Sequence, residues 1–426
     1  MLMQVLRADG TAEQEKIQTM RERAFEENEA VTQSAAQILQ EVRTRGMEAV
    51  NHYSMQFDGS NVREIGKQEI ERAYASCEEG LGQALTRAAE NIREYHERML
   101  ARSFEYERAD GARLGQVVRG LERVGLYVPG GTAAYPSSVL MNAVPARVAG
   151  VRELIMVTPP TENLCKEVLA AAKIAGIDRV FAVGGVQAIG ALAYGAGEIP
   201  RVDKIVGPGN AYVAAAKKLV FGQVDIDMIA GPSEVLVLAD ESANPALVAA
   251  DLLSQAEHDP MASAILLTDS ERLAEQVSQE IERQARTLSR FEIIESSLSR
   301  YGCAIVCGSL EQACALADQI APEHLEIAAR SPRKWLPKLH NAGAVFLGNY
   351  SPEPLGDYMA GPSHVLPTSG TARFFSPLST DTFLKKMSVI EYPQRALTPL
   401  SRDIIALADC EGLDAHANSI AVRIKS

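Results

Sequence analysis

Between residues 128 and 233 short apolar strands alternate with helices, and few folds accept that alternation. ELIMVT reads as a strand and NLCKEVLAAAKIAG as a helix; RVFAVGG reads as a strand and VQAIGALAYG as a helix; KIVGPG ends a strand and NAYVAAAKKLV opens a helix. Strands of this kind, apolar along their length and separated by helices, belong to a parallel sheet covered on both faces. The pattern resumes after residue 233. EVLVLAD, AILLTD, AIVCGS, HLEIAA and AGAVFLG are strand-like, with helices at PALVAADLLSQAE, RLAEQVSQEIERQAR and LEQACALADQI. The chain is therefore expected to be α/β, with two parallel-sheet units.

Residues before about 100 are helical in pattern. QALTRAAENIREYHERML is long and amphipathic, whereas TAEQEKIQTMRERAF has a thin apolar face and reads as a docking arm. FEYERADGARLGQVVRG holds two strand-like runs around Asp110-Gly111, a hairpin signal. The tail from about 378 reads as helical, starting at LKKMSVIEY and ending at GLDAHANSIAVRI. The expected division is an arm at 1–21, a larger α/β domain made of 22–127 with 234–377, a second α/β domain at 128–233, and a small helical tail domain at 378–426.

With 426 residues the chain exceeds one ordinary core. Its net charge of −13 argues against a nonspecific nucleic-acid binder, which needs clustered basic side chains. The start, MLMQVLRADGTAEQEK, has no apolar core of a signal peptide, and no apolar run approaches the roughly 20 residues that span a bilayer. Six cysteines without a C-x-x-C spacing read as reduced thiols of a cytoplasmic protein. No nucleic acid and no membrane are expected as partners.

Four stretches carry four of the seven histidines: SQAEHD, APEHLE, GDYMAGPSH and EGLDAH. Gln255 and His258 end a helix and, three apart, share a face, so both can reach one ion. Glu323-His324 stands at the start of a strand, where an irregular backbone lets neighbours line one cleft; a Glu beside a His offers an acid and a base. Asp357 sits in the loop SPEPLGDYMAGPSH, and loops on a sheet scaffold gather functional side chains. His364, seven residues on, reads as a supporting residue. Glu411 and His416 lie in the tail. Each stretch alone is as well explained by capping, core or solvated roles. Together, their nitrogen and oxygen donors suit zinc or a similar first-row ion. His52, His96 and His340 receive no chemical role. The glycine turns GPGNAY, VPGG after Tyr127, and GGVQ with Gln187 suit an anion or nucleotide at a helix N-terminus, but none is a strict G-x-G-x-x-G.

Taken in order, the motifs resemble the histidinol dehydrogenase family. They are GLYVPGGTAAYPSSVLMNAVPA, VGGVQAIGALAYG, VDKIVGPGNAYVAAAKK, IDMIAGPSEVLVLAD, DLLSQAEH, APEHLEI, GAVFLGNYSPEPLGDYMAGPSHVLPTSGTARF and EGLDAHA, running from residue 125 to 417. The resemblance implies two incomplete Rossmann-like units with small helical arm and tail domains, assembled as a homodimer. It implies a zinc- and NAD-dependent four-electron oxidation of L-histidinol to L-histidine by way of L-histidinal, the last step of histidine biosynthesis. Gln255, His258, Asp357 and His416 match the zinc ligands, one Zn2+ per subunit, and Glu323 and His324 the catalytic acid/base pair. Ser233 and Glu411 match substrate contacts, together with Gln255, His258, His324, Asp357 and His416. Tyr127, Gln187 and Asn210 match the NAD contacts. Glu411 and His416 are expected to reach the partner subunit's site. Asp225, Val186, Gly190 and Ser363 depart from the family's usual residues without removing a matched position. A zinc hydrolase, with Glu323 as base to an activated water, is the enzymatic alternative; a metal- or nucleotide-binding regulator has no use for the acid/base pair. A paralogue acting on another amino alcohol would change the substrate-reading positions, and these match.

Overall fold

A computed structural model describes residues 2–22, 29–130, 135–160, 165–229 and 231–425. Two six-stranded sheets and one three-stranded sheet organise it. The first runs Gln4–Arg7, Cys303–Val306, Ser263–Thr268, Glu234–Ala239, His324–Ala328, Ala344–Leu347, all parallel. Glu234–Ala239 and Ser263–Thr268 are buried along their whole length. Alternate side chains therefore feed two cores. Val235 and Val237 face the helices Pro245–Ala256, Glu271–Ala285 and Phe291–Tyr301, while Leu236 and Leu238 face Ala12–Glu22 and Leu310–Ile320. Each fully buried Leu or Val contributes roughly 1.5–3 kcal/mol.

The second sheet runs Arg63–Glu64, Arg179–Ala182, Glu153–Thr158, Arg123–Tyr127, Lys204–Val206, Asp225–Ile226. It is parallel except for the Arg63–Glu64 edge. Leu154 and Met156 pack under Glu79–Arg98, Pro136–Val148 and Lys166–Ile174; Ile155 and Val157 pack under Glu29–Arg45, Gly185–Tyr194 and Ala211–Val220.

Three sequence expectations are corrected. The helices between 29 and 98 cover the second sheet, not the unit built from 234–377, and Arg123–Tyr127 is a central strand of that second sheet. Local periodicity announces a helix without naming the surface it covers. A close contact settles the choice here: a Cβ at Gly190 would meet Val42 at 3.0 Å, so the small residue lets Glu29–Arg45 lie tightly on Gly185–Tyr194. The amino-terminal segment is no thin arm, since Gln4–Arg7 adds an edge strand to the first sheet and Ile17 and Met20 are buried in its core. Finally, Leu384–Glu391 is a strand, paired antiparallel with Arg113–Gly120, which also pairs with Phe104–Glu107 as the Asp110-Gly111 hairpin predicts. Pairing with a distant strand decides that segment, not its local preference. The tail ends in two helices, Ser401–Cys410 and Asp414–Lys425, each with one buried residue, Ala408 and Ala417. Among the described residues no helix is long and apolar enough to cross a membrane.

The two large sheets meet with opposite polarity. Pro129-Gly130, Gly207 to Gly209 and Asp227-Met228 follow strands of the second sheet; Ser233, Glu323 and His324 stand at or before the starts of strands in the first; all line one cavity. The carboxyl ends of one sheet thus face the amino ends of the other.

Candidate active site

The cavity has a volume of about 450 Å³. Its catalytic-type residues arrive from three elements. The first is the helix Pro245–Ala256. Asn244 caps it by accepting from the Ala246 N–H at 3.0 Å, Pro245 opens it, and Val248, Leu252 and Leu253 anchor its apolar face. The far end delivers Gln255, 1% exposed with no partner for Oε1, and His258 one turn later at the surface of the cavity. His258 lies just past the helix end, and both residues line the cavity.

The second element is the short helix Glu353–Tyr358. Glu353 and Asp357, four apart, project from one side. Ligand atoms of His258, Glu353 and Asp357 all lie within 4.8 Å of one another. Glu353 was missed on sequence, although the E-x-x-x-D spacing inside SPEPLGD was its signal. Its N–H donates to Glu326 Oε1 at 2.7 Å, and the Ser254 hydroxyl donates to its Oε2 at 3.1 Å. His364 supports this helix: its Nδ1 is 3.2 Å from the Asp357 carbonyl oxygen, and Nε2 is 3.5 Å from the Ser138 hydroxyl.

The third element is the start of His324–Ala328. The Glu234 N–H donates to Glu323 Oε2 at 2.9 Å, and His324 Nδ1 lies 3.0 Å from the Glu234 carbonyl oxygen. With Nδ1–H donating there, Nε2 is left as the acceptor. It is buried, has no hydrogen-bond partner, and stands 3.9 Å from Asp357 Oδ1.

Burial dominates the electrostatics. It lowers the His324 imidazole to about 4 and pushes the Glu323 carboxyl well above the usual range. It raises Asp357 to about 6 and, with the Asp357 charge adding to it, Glu353 to about 8. Crowded carboxyls in a dry wall resist ionisation unless a cation compensates them. The orphaned Gln255 oxygen beside His258, Glu353 and Asp357 is a nitrogen-and-oxygen donor set that fits zinc or a similar ion.

The three predicted cofactor positions lie at the carboxyl ends of Arg123–Tyr127, Arg179–Ala182 and Lys204–Val206, around the point where strand order reverses. Tyr127 Oη accepts the Gly185 N–H at 3.2 Å. Gln187 is 1% exposed with both amide atoms unpartnered, as a residue awaiting a polar ligand would be. Asn210 caps the Ala211–Val220 helix by accepting the Val213 N–H at 3.1 Å. None of the three lines the cavity itself, whose wall at these strand ends is formed by Pro129, Gly130 and Gly207 to Gly209.

Ser233 lines the cavity. Glu411 and His416 do not; both are exposed on the tail, so one chain brings together Gln255, His258, Asp357, Glu323, His324 and Ser233 without them. The departures from the family pattern have local explanations. Asp225 pairs with Lys204 at 2.7 Å across neighbouring strands, Ser363 donates to the Met141 carbonyl at 3.3 Å, and Val186 is buried in the core beneath the second sheet.

Known proteins agree with this architecture. A family described as Histidinol dehydrogenase matches residues 21–424. The chain is 55% identical over 401 residues to a histidinol dehydrogenase of Heliobacterium mobile, covering 93% of this chain and 94% of that protein. It is 51% identical over 422 residues to one of Clostridium acetobutylicum, covering 98% of each. A crystal structure of histidinol dehydrogenase from Elizabethkingia anophelis superposes with a TM-score of 0.94 at 36% identity, over 100% of this chain and 98% of that one. With its sheets, its donor cluster and its sequence all in agreement, the chain is an oxidoreductase belonging to the histidinol dehydrogenase family.

Proposed function

We propose that the chain oxidises L-histidinol to L-histidine through L-histidinal, with two NAD consumed and one zinc held per subunit. The observation that carries this reading is the buried, unpartnered His324 Nε2 beside the His258, Glu353 and Asp357 donors. When bound, zinc supplies a Lewis-acidic anchor for the substrate's amine and imidazole, and NAD supplies the hydride acceptor. Gln255, His258 and Asp357 hold the ion, with Glu353 beside them. Tyr127, Gln187 and Asn210 hold the cofactor. Ser233 contacts the substrate, and Glu411 and His416 complete the site of the other chain in a homodimer.

His324 acts first. Its Nδ1 is committed to the Glu234 carbonyl, so Nε2 takes the alcohol proton as hydride leaves the carbon. Burial keeps this imidazole neutral at physiological pH, which leaves the lone pair free to do so. In the second half, water adds to the aldehyde carbon and supplies the new oxygen. Glu323 takes a proton from that water, and positive charge in the site favours the carboxylate form that this requires. Once Nε2 has released the first proton to solvent and NADH has been exchanged for a second NAD, His324 removes a hydroxyl proton of the hydrate as the second hydride leaves to that NAD. All six cysteines are unpaired, in keeping with a reducing, cytoplasmic compartment.

The test is NADH formed per L-histidinol consumed, with zinc present and after chelation. Two NADH, lost on chelation and restored by zinc, is the expected result. One NADH would end the reaction at the aldehyde. None, from folded and metal-loaded protein, would favour hydrolytic chemistry instead.

A further inference from the structure

The Ala211–Val220 helix and the chain leaving the second sheet share a buried ion pair that the chemistry above does not use. Lys217 and Asp227 are 6% and 2% exposed at their side chains, are in ion-pair contact, and line the cavity. Both charges are spent on the same backbone unit. The Gly207 N–H donates to Asp227 Oδ2 at 2.8 Å, and Lys217 Nζ donates to the Gly207 carbonyl at 3.0 Å. Asp227 also accepts the Met228 N–H at 2.7 Å.

Gly207 is a constrained point. Its φ is +111°, a backbone region that side chains disfavour, and a Cβ there would run into the Tyr127 carbonyl oxygen. It thus sets how closely the end of Lys204–Val206 approaches the end of Arg123–Tyr127, at the reversal of strand order. A buried ion pair is a poor source of stability, because desolvation offsets attraction. Its use is better sought in geometry. Here it fastens a turn that only glycine accommodates to the segment that runs on to Ser233 and the first sheet.

We infer that Lys217 and Asp227 are positioning residues for NAD: by clamping both polar groups of Gly207 they fix the 207–210 turn, and through it the Tyr127 side of the cleft, in the shape that receives the cofactor. This rests on the cofactor reading above. Among the described residues no hydrogen bond joins the clamp to Gln255, His258 or Asp357, so a variant of the clamp separates cofactor binding from metal binding.

The experiment measures NAD binding by calorimetry on zinc-loaded dimer, together with zinc content and the KM values for NAD and L-histidinol. Variants are Lys217→Met, Asp227→Asn, which keeps size and acceptor, and the charge-free double variant Lys217→Met with Asp227→Leu. In Lys217→Met, NAD Kd and KM are expected to rise about tenfold or more, with zinc content and L-histidinol KM unchanged. Asp227→Asn should fall between it and the unsubstituted chain. If Lys217→Met does not fold, the double variant, which leaves no unpaired buried charge, gives the same reading. NAD affinity within twofold of the unsubstituted chain in any folded variant lacking the ion pair, whatever its melting temperature, overturns the proposal. No NAD binding by the unsubstituted chain overturns the cofactor reading, and this proposal with it.

Discussion

The carbonyl oxygen of Glu234 stands 3.0 Å from Nδ1 of His324, and the N–H of the same residue holds Glu323 Oε2 at 2.9 Å. Main chain at the start of one strand therefore orients both members of the proposed acid/base pair on the next. The parallel register, Val235 opposite His324, makes that reach unavoidable.

Replacing His324 by Asn removes the base and leaves the fold. Both oxidation steps should slow by about 10²–10⁴, with NAD affinity and zinc content retained. Stopped-flow NADH formation from L-histidinol and from L-histidinal measures each step. A loss below tenfold in both would remove His324 from proton transfer.

Glu323→Gln keeps the Glu234 N–H contact through its amide oxygen but cannot take a proton. Oxidation of L-histidinal should suffer at least as much as oxidation of L-histidinol. If only the alcohol step slowed, the water-activating role would be wrong.

Glu353→Gln should weaken zinc affinity by about 10–100-fold, the range for groups that support a metal site. Competition with a chromophoric chelator reads this without turnover. Unchanged zinc affinity would leave Glu353 as a support for the Glu353–Tyr358 helix alone.

The metal-free protein should lose stability as pH rises. Burial raises Glu353 to about 8, and burial with the neighbouring Asp251 charge raises Glu326 to about 9. Between the ordinary carboxylate value and those limits the folded chain holds more protons than the unfolded chain, so unfolding releases protons and is favoured by higher pH. Melting temperature of the chelated protein should therefore decline from about pH 7 to pH 9, above the range in which the buried imidazoles of His324 and His364, lowered to about 4, act with the opposite sign, and Glu326→Gln should flatten the decline. A profile that rises over that interval would contradict the sign.

Subunit sharing is tested by mixing. His416→Ala and His258→Ala chains, each inactive alone, should recover activity as mixed dimers if the tail completes the other chain's site. No recovery, with chain exchange confirmed by mass spectrometry, would count against it.

How much of this was legible depended on the range of the interaction. Strands such as EVLVLAD and AILLTD declare themselves because burial on both faces leaves no polar position. Gln255 with His258, and Glu323 with His324, were readable as pairs because local geometry joins them. Gln4–Arg7 and Leu384–Glu391 were not, since each is a strand only by virtue of a distant partner, Cys303–Val306 in one case and Arg113–Gly120 in the other. Phe291–Tyr301 went unread as a helix because its flanks carry no clear cap. The sheet covered by the helices of residues 22–127 was not readable because it is chosen by long-range contacts, such as that of Val42 with Gly190. The strand that His324 opens could be named; the sheet that each amphipathic helix chooses could not.

The first sheet meets the cavity with its amino ends, so its carboxyl ends point the other way. That far edge carries the turns after Ala239, Thr268 and Ala328, with Glu241 and Ser242 open to solvent. In many α/β enzymes the corresponding turns are bound to chemistry and tolerate little. Here none of them lines the cavity. A reporter peptide or a tether spliced at Glu241-Ser242 would sit at the opposite end of the strands from His324, which makes this rim a handle for immobilising the enzyme or for evolving a new appendage.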